Sequence, residues 1–508
     1  MSEKLFMAVD LGTSFIKSAV YTPEGHCLSG WSESVKDERP APGIFLQRGE
    51  YLYDAVCSCL KKTAEQLGDK AQSIKAIAFT GQMAGSMGVD ENWGDITTWS
   101  CSLDTRYLPY AQQQREQLQE EMFTVGGTNA PVMCAKYAWF REEFPEEHKK
   151  IAKYVMLNGY IIGRLSHIPV EEAKIDYSLI TWTGMSDIMN RRWSAQLCGK
   201  LGVDMTLLPE IVDCTTIGGY LADDEARKLS LPAGIPLILG AGDKVSGCTG
   251  AGIFDESDMI FEAASYGAIS CKVKDVRLDT VRRNYDVIGA VDSESFYVHK
   301  YIQGSGISID WFVDSFIRES GMEKKEAFRL ADTLAARVPP GSENMLAVGL
   351  LSGSAMPFDS ELRGAFIGHT WAHSKGHFYR ALLESFSYDL ALTLESIRKA
   401  YPENQNRTVK LIGGGAKSSV WPQMLADVTG YDFALLNRED VALWGAAMLA
   451  AKGIGEIRDI AALAKEKAGI RTVFSPCGER HAKYQNYSSL YEDFTTQMHG
   501  IYRRLNRL

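Results

Sequence analysis

The sequence predicts an α/β protein of two domains built on one repeated pattern, with a nucleotide-sized cleft between them. Three observations lead there. A short apolar strand, a tip of small residues and a second strand occupy residues 5–21, and the same succession returns at residues 259–271. Apolar runs of strand length alternate with stretches whose apolar residues fall at helical spacing. The run Leu237-Ile238-Leu239-Gly240-Ala241-Gly242-Asp243 carries a buried strand into two glycines and an aspartate, and a helix of small residues opens at Val245. At 508 residues the chain is too long for one ordinary domain.

Along the chain, Leu5–Val9 is a strand ending in Asp10-Leu11-Gly12-Thr13-Ser14, and Ile16–Tyr21 is its partner, turning at Pro23-Glu24-Gly25. That is a hairpin with a polar, glycine-bearing tip. Residues 50–68 have helical spacing, with Leu52, Ala55, Val56, Cys59, Leu60, Ala64 and Leu67 on one face. Ile74–Phe79 is a buried strand that stops at Thr80-Gly81-Gln82-Met83-Ala84-Gly85. After a mixed region, Met259–Cys271 restarts the pattern, with helix-period stretches next at residues 311–320, 377–400 and 420–429. Leu411-Ile412-Gly413-Gly414-Gly415-Ala416 lies among them, and Ala442–Ala450 is a helix of small residues. The glycines at 247, 250 and 252 mark a boundary, dividing the chain into 1–250, 251–475 and a helical tail, 476–508.

Composition narrows the class. The chain is 45% hydrophobic and 23% charged, as expected of a soluble globular protein. A net charge of -10 argues against nucleic acid as a partner. No apolar run reaches membrane-spanning length. Ten cysteines are scattered with no CxxC pair, which reads as reduced thiols of a cytoplasmic protein. The first strand begins so early that no signal peptide is expected.

Three stretches carry chemistry. Asp243 sits where a parallel strand ends, the place where α/β sheets collect ligands. A carboxylate there can take a proton from a hydroxyl, or it can simply cap the helix. Asp10–Lys17 offers glycine and hydroxyl groups to phosphate oxygens and a carboxylate that can hold hydrated magnesium. Gly413–Gly415 exclude side chains where something flat or phosphorylated must approach, or they form a flexible connection between strand and helix. Two other patterns read as structural. His373 and His377 have the spacing of a metal pair but no third ligand, and Trp311, Phe312 and Phe316 recur as core residues do.

Asp10–Lys17, Gln82-Met83, Leu103-Asp104-Thr105-Arg106, Gly240–Asp243, the second hairpin, and Leu411–Gly430 with Ala442–Ala447 come in one order. In that order the chain resembles the FGGY carbohydrate kinases of the actin-like ATPase superfamily, over roughly residues 5–455. It is most similar to the xylulose kinase branch, which Arg363-Gly364-Ala365-Phe366 and His377-x-Tyr379-Arg380-Ala381 also match. The resemblance implies two duplicated actin-like, ribonuclease H-like domains and transfer of the ATP γ-phosphate to a small sugar, with ATP and Mg²⁺. Asp243 would be the base, and Asp10 would position magnesium. Gly12, Thr13, Ser14, Lys17, Ser265, Gly304, Gly414, Gly415, Ala416 and Ser419 would line the nucleotide, and Gln82, Met83, Ala84, Asp104 and Asp243 the sugar. Relatives of this kind are commonly homodimers.

The chain departs from the branch at three points. Ala84 stands where a histidine is usual, and Ala264-Ser265-Tyr266-Gly267 stands for Gly-Thr-Ser-Gly. Asp176-Tyr177-Ser178 matches, but Leu179-Ile180-Thr181-Trp182 then diverges. A site that loses a hydrogen-bonding group can change preference strongly. A pentulose such as D-xylulose, another ketose or a polyol is the expected acceptor. The alternative is a non-catalytic sugar- or nucleotide-binding regulator of the same fold.

Overall fold

The structure is a computed structural model describing residues 4–101 and 103–508. Packing divides the chain into two compact units, residues 1–254, 287–296 and 440–468 in one and residues 255–286, 297–439 and 469–508 in the other.

The first unit is organised by a six-stranded mixed sheet. Strands β1 (Leu5–Leu11), β2 (Phe15–Tyr21) and β3 (Cys27–Ser34) form an antiparallel meander. The expected hairpin thus gains an edge strand that its polar composition hides. Helix α1 (Gly49–Leu67) packs its apolar stripe on β2 and β3 and hands the chain to β4 (Ile74–Gly81), parallel to β1. Farther along the chain, past the helix Leu108–Gly126, lie α2 (Met133–Glu143) and α3 (Leu157–Ser166). Strand β5 (Ile217–Tyr220) is an antiparallel edge for β6 (Pro236–Gly242), which runs parallel to β4 and leads into α4 (Asp243–Gly250). The order across the sheet is β5-β6-β4-β1-β2-β3.

One face of this sheet carries Ala8, Ala19, Ala76 and Ala78, and against it lies the helix Val441–Gly453 with Ala446, Ala447, Ala450 and Ala451. Small residues on both surfaces bring helix and sheet close together. The same helix crosses α4 almost backbone to backbone. A Cβ on Gly250 would lie 1.9 Å from the Val441 carbonyl oxygen, and one on Gly445 the same distance from that of Ser246. This packing puts residues 440–468 in the first unit, whereas reading along the chain groups them with 251–475.

The second unit repeats the plan. Strands β7 (Met259–Glu262) and β8 (Gly267–Val273) form the hairpin, with β9 (Phe296–Ile302) beside β8. Helices α5 (Ser305–Phe312) and α6 (Lys375–Ala400) come after it. Strand β10 (Thr408–Ile412) lies parallel to β7, then come α7 (Trp421–Thr429) and the parallel strand β11 (Asp432–Leu436). Edge strand β12 (Ile470–Phe474) is antiparallel to β11, and α8 (Gly478–Leu505) packs on α6 and α7. Six neighbouring strands of this seven-stranded sheet run β9-β8-β7-β10-β11-β12, the meander and parallel pair of the first unit again.

One expected core stripe fails. Phe312 is buried, but Trp311 is 44% and Phe316 47% exposed. The helix gives way to a π turn at Val313–Ile317, and that wider turn rotates Phe316 off the buried face. The helix stops there, short of the expected Ser320.

Candidate active site

The first unit's site is built by strand register. Asp10 of β1 pairs with Thr80 of β4, and Thr80 with Ala241 of β6; the next row is Leu11, Gly81 and Gly242. Three parallel strands thus end level, and their successors Gly12, Gln82 and Asp243 leave one edge together. A small cavity lies on this edge, lined by Leu11, Thr80, Gly81, Gln82, Leu157, Asn158, Leu179, Ala241 and Gly242.

Asp243 is the first residue of α4, and the cap position belongs to Gly242. Its Oδ1 accepts the Lys244 amide at 2.8 Å, and Lys244 Nζ stands 3.5 Å from Oδ2. The Asp243 side chain is 35% exposed and that of Lys244 only 11%. The carboxylate is therefore reachable, with a nearly buried cation as its neighbour. Placement at a helix N-terminus further favours the negative charge.

Lys17 is the direct cross-strand neighbour of Asp10, and the two share a face of the hairpin. The tip is held from outside: the buried Gln47 donates from Nε2 to the Thr13 carbonyl at 2.8 Å, and the Val35 amide donates to Ser14 O. Gln82 accepts the indole N–H of the buried Trp99 at 3.2 Å through Oε1. Among the described residues its buried Nε2 has no hydrogen-bond partner, nor has the Thr80 hydroxyl on the cavity wall. Trp99 thus fixes which end of the amide the cavity meets: a donor. Met83 packs its side chain against Gly242, and Ala84 is half-buried.

Asp104 is fully buried, and Arg106 holds both its oxygens, from Nε at 2.9 Å and Nη2 at 2.7 Å. The guanidinium stacks 4.6 Å from the Trp139 ring centre. Lys136 of α2 clamps the same segment, donating to the carbonyls of Ser100 and Cys101. Burial pushes its ammonium down to about 7, against the pull of Cys101 and Asp104. In this structure Asp104 acts on its own loop first.

The second unit's residues gather at the matching strand ends. Ser265 is exposed in the tip between β7 and β8. The first turn of α5 supports that tip: Ser305 Oγ accepts the Gly267 amide at 2.9 Å, and the Gly306 amide donates to Ala264 O and Ser265 O. Gly304, at φ +66°, is the N-cap of α5. The three glycines after β10 separate by cause. Gly413 has φ +90°, and its Cβ would lie 2.7 Å from the Ala263 carbonyl oxygen. A Cβ on Gly415 would lie 2.4 Å from the Trp421 ring. A Cβ on Gly414 would meet none of the described residues within 4 Å beyond its chain neighbours, so of the three only this glycine is not required by packing or by a positive φ. Ala416 is buried. Ser419 gives both its amide and its hydroxyl to Asp332, at 2.7 and 3.2 Å.

Sequence reasoning missed several supports. Lys136 had a signal, a lone charge in the apolar helix Met133–Phe140, and Lys244 adjoins Asp243. Gln47, Trp99 and Asn158 had none, because nothing in their local pattern shows what they touch across the fold. His377 sits in the first turn of α6 within a capping box with Ser374. Among the described residues the one cluster with metal-ligand geometry is His167, Asp224 and Glu225, where Lys228 Nζ already lies 2.7 Å from Glu225. No helix among those residues is long and apolar enough to cross a membrane.

Comparison with known proteins gives the family. Residues 5–250 match the N-terminal domain profile of the FGGY family of carbohydrate kinases, and residues 270–454 its C-terminal domain. The xylulose kinase of Staphylococcus epidermidis is 25% identical, over 100% of this chain and 98% of its own. The gluconokinase of Bacillus subtilis is also 25% identical, over 98% of each chain. The crystal structure of a gluconate kinase from Lactobacillus acidophilus superposes with a TM-score of 0.90 at 20% identity, covering 99% of this chain and 100% of that one. With its two mixed sheets, its strand-end aspartates and both family domains in place, the chain belongs to the FGGY family of carbohydrate kinases and is an ATP-dependent sugar kinase.

Proposed function

We propose that this kinase phosphorylates a hydroxyl of a small ketose, most simply a pentulose such as D-xylulose, with Asp243 as the base. The observation that carries the reading is the level ending of β1, β4 and β6, which brings Asp10, Gln82 and Asp243 to one edge beside the cavity. Asp243 offers an accessible carboxylate to the attacking hydroxyl. Gln82 offers an N–H donor whose orientation Trp99 sets, suited to a sugar oxygen. In the second unit, Gly414 leaves its backbone open to a nucleotide, with Ser265 and Gly304 in neighbouring turns.

Asp10 fits a magnesium site of the water-rich kind, which needs one or two carboxylates rather than a protein cage. Asp10 would hold that ion through its waters, and the bound ion would supply charge neutralisation on the phosphates. Lys17, opposite Asp10, and the amides of Gly12, Thr13 and Ser14 would meet phosphate oxygens. A cytoplasmic location and a homodimer complete the proposal, with 1–250, 251–475 and 476–508 as divisions of the sequence rather than of the packing.

Similarity to the Bacillus subtilis gluconokinase at the same identity favours one second reading, an aldonate as acceptor. The deciding experiment measures ADP release with MgATP over a panel of ketoses, aldoses, aldonates and polyols, with Asp243→Ala in parallel. A positioned base contributes about 10²–10⁴-fold. A ketose-dependent rate that falls by that factor in the variant supports the proposal. A best rate on an aldonate or polyol overturns the acceptor, and wild-type turnover by Asp243→Ala overturns the base.

A further inference from the structure

Strand β6 does not reach Asp243 as a regular strand. It pairs Ile238 with Ala78 and then Ala241 with Thr80, so three steps on β6 match two on β4. The extra residue is a bulge at Leu239–Gly240. Gly240 has φ +72°, and a Cβ there would lie 1.6 Å from the Phe79 carbonyl oxygen, so the bulge is built into the sequence. Bulges often re-aim side chains beside active sites, and they take backbone groups out of the ladder.

Two backbone groups of the bulge, and the amide of Gly242 just past it, find partners on residues that share one centre. Asn158 Nδ2 donates to Leu239 O at 3.2 Å, Gly240 N donates to Cys214 O at 3.0 Å, and Gly242 N donates to Ser178 Oγ at 2.9 Å. The side chains of all three partners then converge on Asp176. Asn158 Nδ2 reaches its Oδ2 at 3.2 Å, Cys214 Sγ its Oδ1 at 3.6 Å, and the Ser178 hydroxyl donates to Oδ1, joined by the Ser178 amide at 3.0 Å. Asp176, Ser178 and Cys214 are fully buried and Asn158 nearly so. An ionised carboxylate only accepts, and its two oxygens can take several donors at once. Such charge-assisted bonds are stronger than neutral ones. Burial raises the Asp176 carboxyl to about 6 against the pull of its donors, so the fold keeps a costly group where a neutral one would be easier to bury.

We infer that Asp176, acting through Ser178, Asn158 and Cys214, is the positioning residue that fixes the β6 bulge and thereby the placement of Asp243. The inference rests on Asp243 being the base. Ser178 holds the amide immediately before Asp243, so its hydroxyl is the last link. A displacement of about 1 Å at a reacting group can cost on the order of 10²-fold in rate.

The test is a double-mutant cycle on the full chain with the best sugar and MgATP. Ser178→Ala should lower kcat about 10²-fold and leave both KM values near those of the wild type. Ser178→Thr, which keeps the hydroxyl, should restore most of the loss. Because Ser178 acts through Asp243, Ser178→Ala combined with Asp243→Ala should be no slower than Asp243→Ala alone, the mark of coupled sites. Multiplying effects, or a loss confined to KM, overturn the inference. If Ser178→Ala does not fold, Asp176→Asn goes through the same cycle, since it keeps an acceptor for Ser178 but turns an amide donor toward Asn158. Misfolding of both variants would make the network merely structural and overturn the inference too. The base assignment fails separately, by wild-type turnover of Asp243→Ala.

Discussion

Gly414→Ala separates ligand binding from folding, because its two neighbours serve as internal controls. At Gly413 an alanine must adopt φ +90° with its Cβ 2.7 Å from a backbone oxygen. With ψ near −178° that backbone is one only glycine adopts readily, and forcing alanine into it costs about 1–3 kcal/mol. At Gly415 the methyl would meet the Trp421 ring at 2.4 Å, and Trp421 is buried, with its indole N–H on Ser387. At Gly414 the φ is not left-handed and a Cβ would meet none of the described residues within 4 Å beyond its chain neighbours. Alanine there should be neutral or stabilise the fold by about 0.4–1 kcal/mol, through the entropy of the unfolded chain. If the nucleotide occupies that space, the same methyl overpacks the complex by about 1–3 kcal/mol, or roughly 5- to 150-fold in affinity. Calorimetric titration with ATP and thermal melting of the three variants check both halves. ATP affinity within twofold of wild type in Gly414→Ala would refute the assignment of this glycine to the nucleotide. A melting point as low as that of Gly413→Ala would refute the packing argument.

Gly250→Ala should cost at least about 3 kcal/mol, since its Cβ would sit 1.9 Å from the Val441 oxygen; at about 2–4 °C per kcal/mol, the melting point should fall by about 6–12 °C. Lys136 loses its proton near pH 7 in the native protein but keeps it to about 10.4 when unfolded, so the unfolded state binds more protons between those values and stability rises with pH there. Lys136→Met removes this gain, and denaturant midpoints at pH 7 and pH 9 should show wild type gaining on the variant; parallel shifts would refute it. The buried Glu384 accepts from Arg380, Tyr484 OH, Gly341 N and Ser342 Oγ. Glu384→Ala should cost about 3–5 kcal/mol by stranding Arg380 and speed proteolysis of α8, while Tyr484→Phe should lose only about 1 kcal/mol.

The features legible in the sequence were those with a period or a punctuation mark. Apolar runs gave β1, β4, β6, β7 and β10, and helical spacing gave α1, α6 and α7 to within a few residues. Strand β3 escaped because Leu28, Trp31 and its polar residues lie on an exposed edge. Phe316 misled because a period argument assumes 3.6 residues per turn, and a π turn breaks that assumption. The helix Val441–Gly453 was visible as small residues, yet its packing on β1 and β4 is a long-range event with no local mark. The site divides the same way. Glycine before Asp243 and three glycines after β10 announce themselves, whereas Gln47, Trp99 and Asn158 act on backbone or amide atoms far away in sequence.

The duplication shows how much a repeated sheet can determine. Both units end a hairpin strand and a parallel strand level with each other: Asp10 beside Thr80 in one, Glu262 beside Ile412 in the other. The backbone stage is thus the same, and the two units differ in the residues just past the strand ends. The first unit continues into Gln82 and, from β6, into Asp243, polar groups suited to a hydroxyl and its proton. The second continues from β10 into Gly413–Gly415, backbone suited to close approach. Register supplies the place and leaves the chemistry to the residue after each strand. Ala84, two residues past Gln82, is therefore a position at which to test acceptor choice. Replacing it with histidine adds a ring and a donor beside the oriented Gln82 amide without touching β4. If Ala84 admits a bulkier or differently hydroxylated acceptor, Ala84→His should shift the preferred sugar in the kinase panel while ATP affinity stays constant. An unchanged ranking of acceptors would show that selection lies with the cavity wall instead, with Leu179 the next residue to vary.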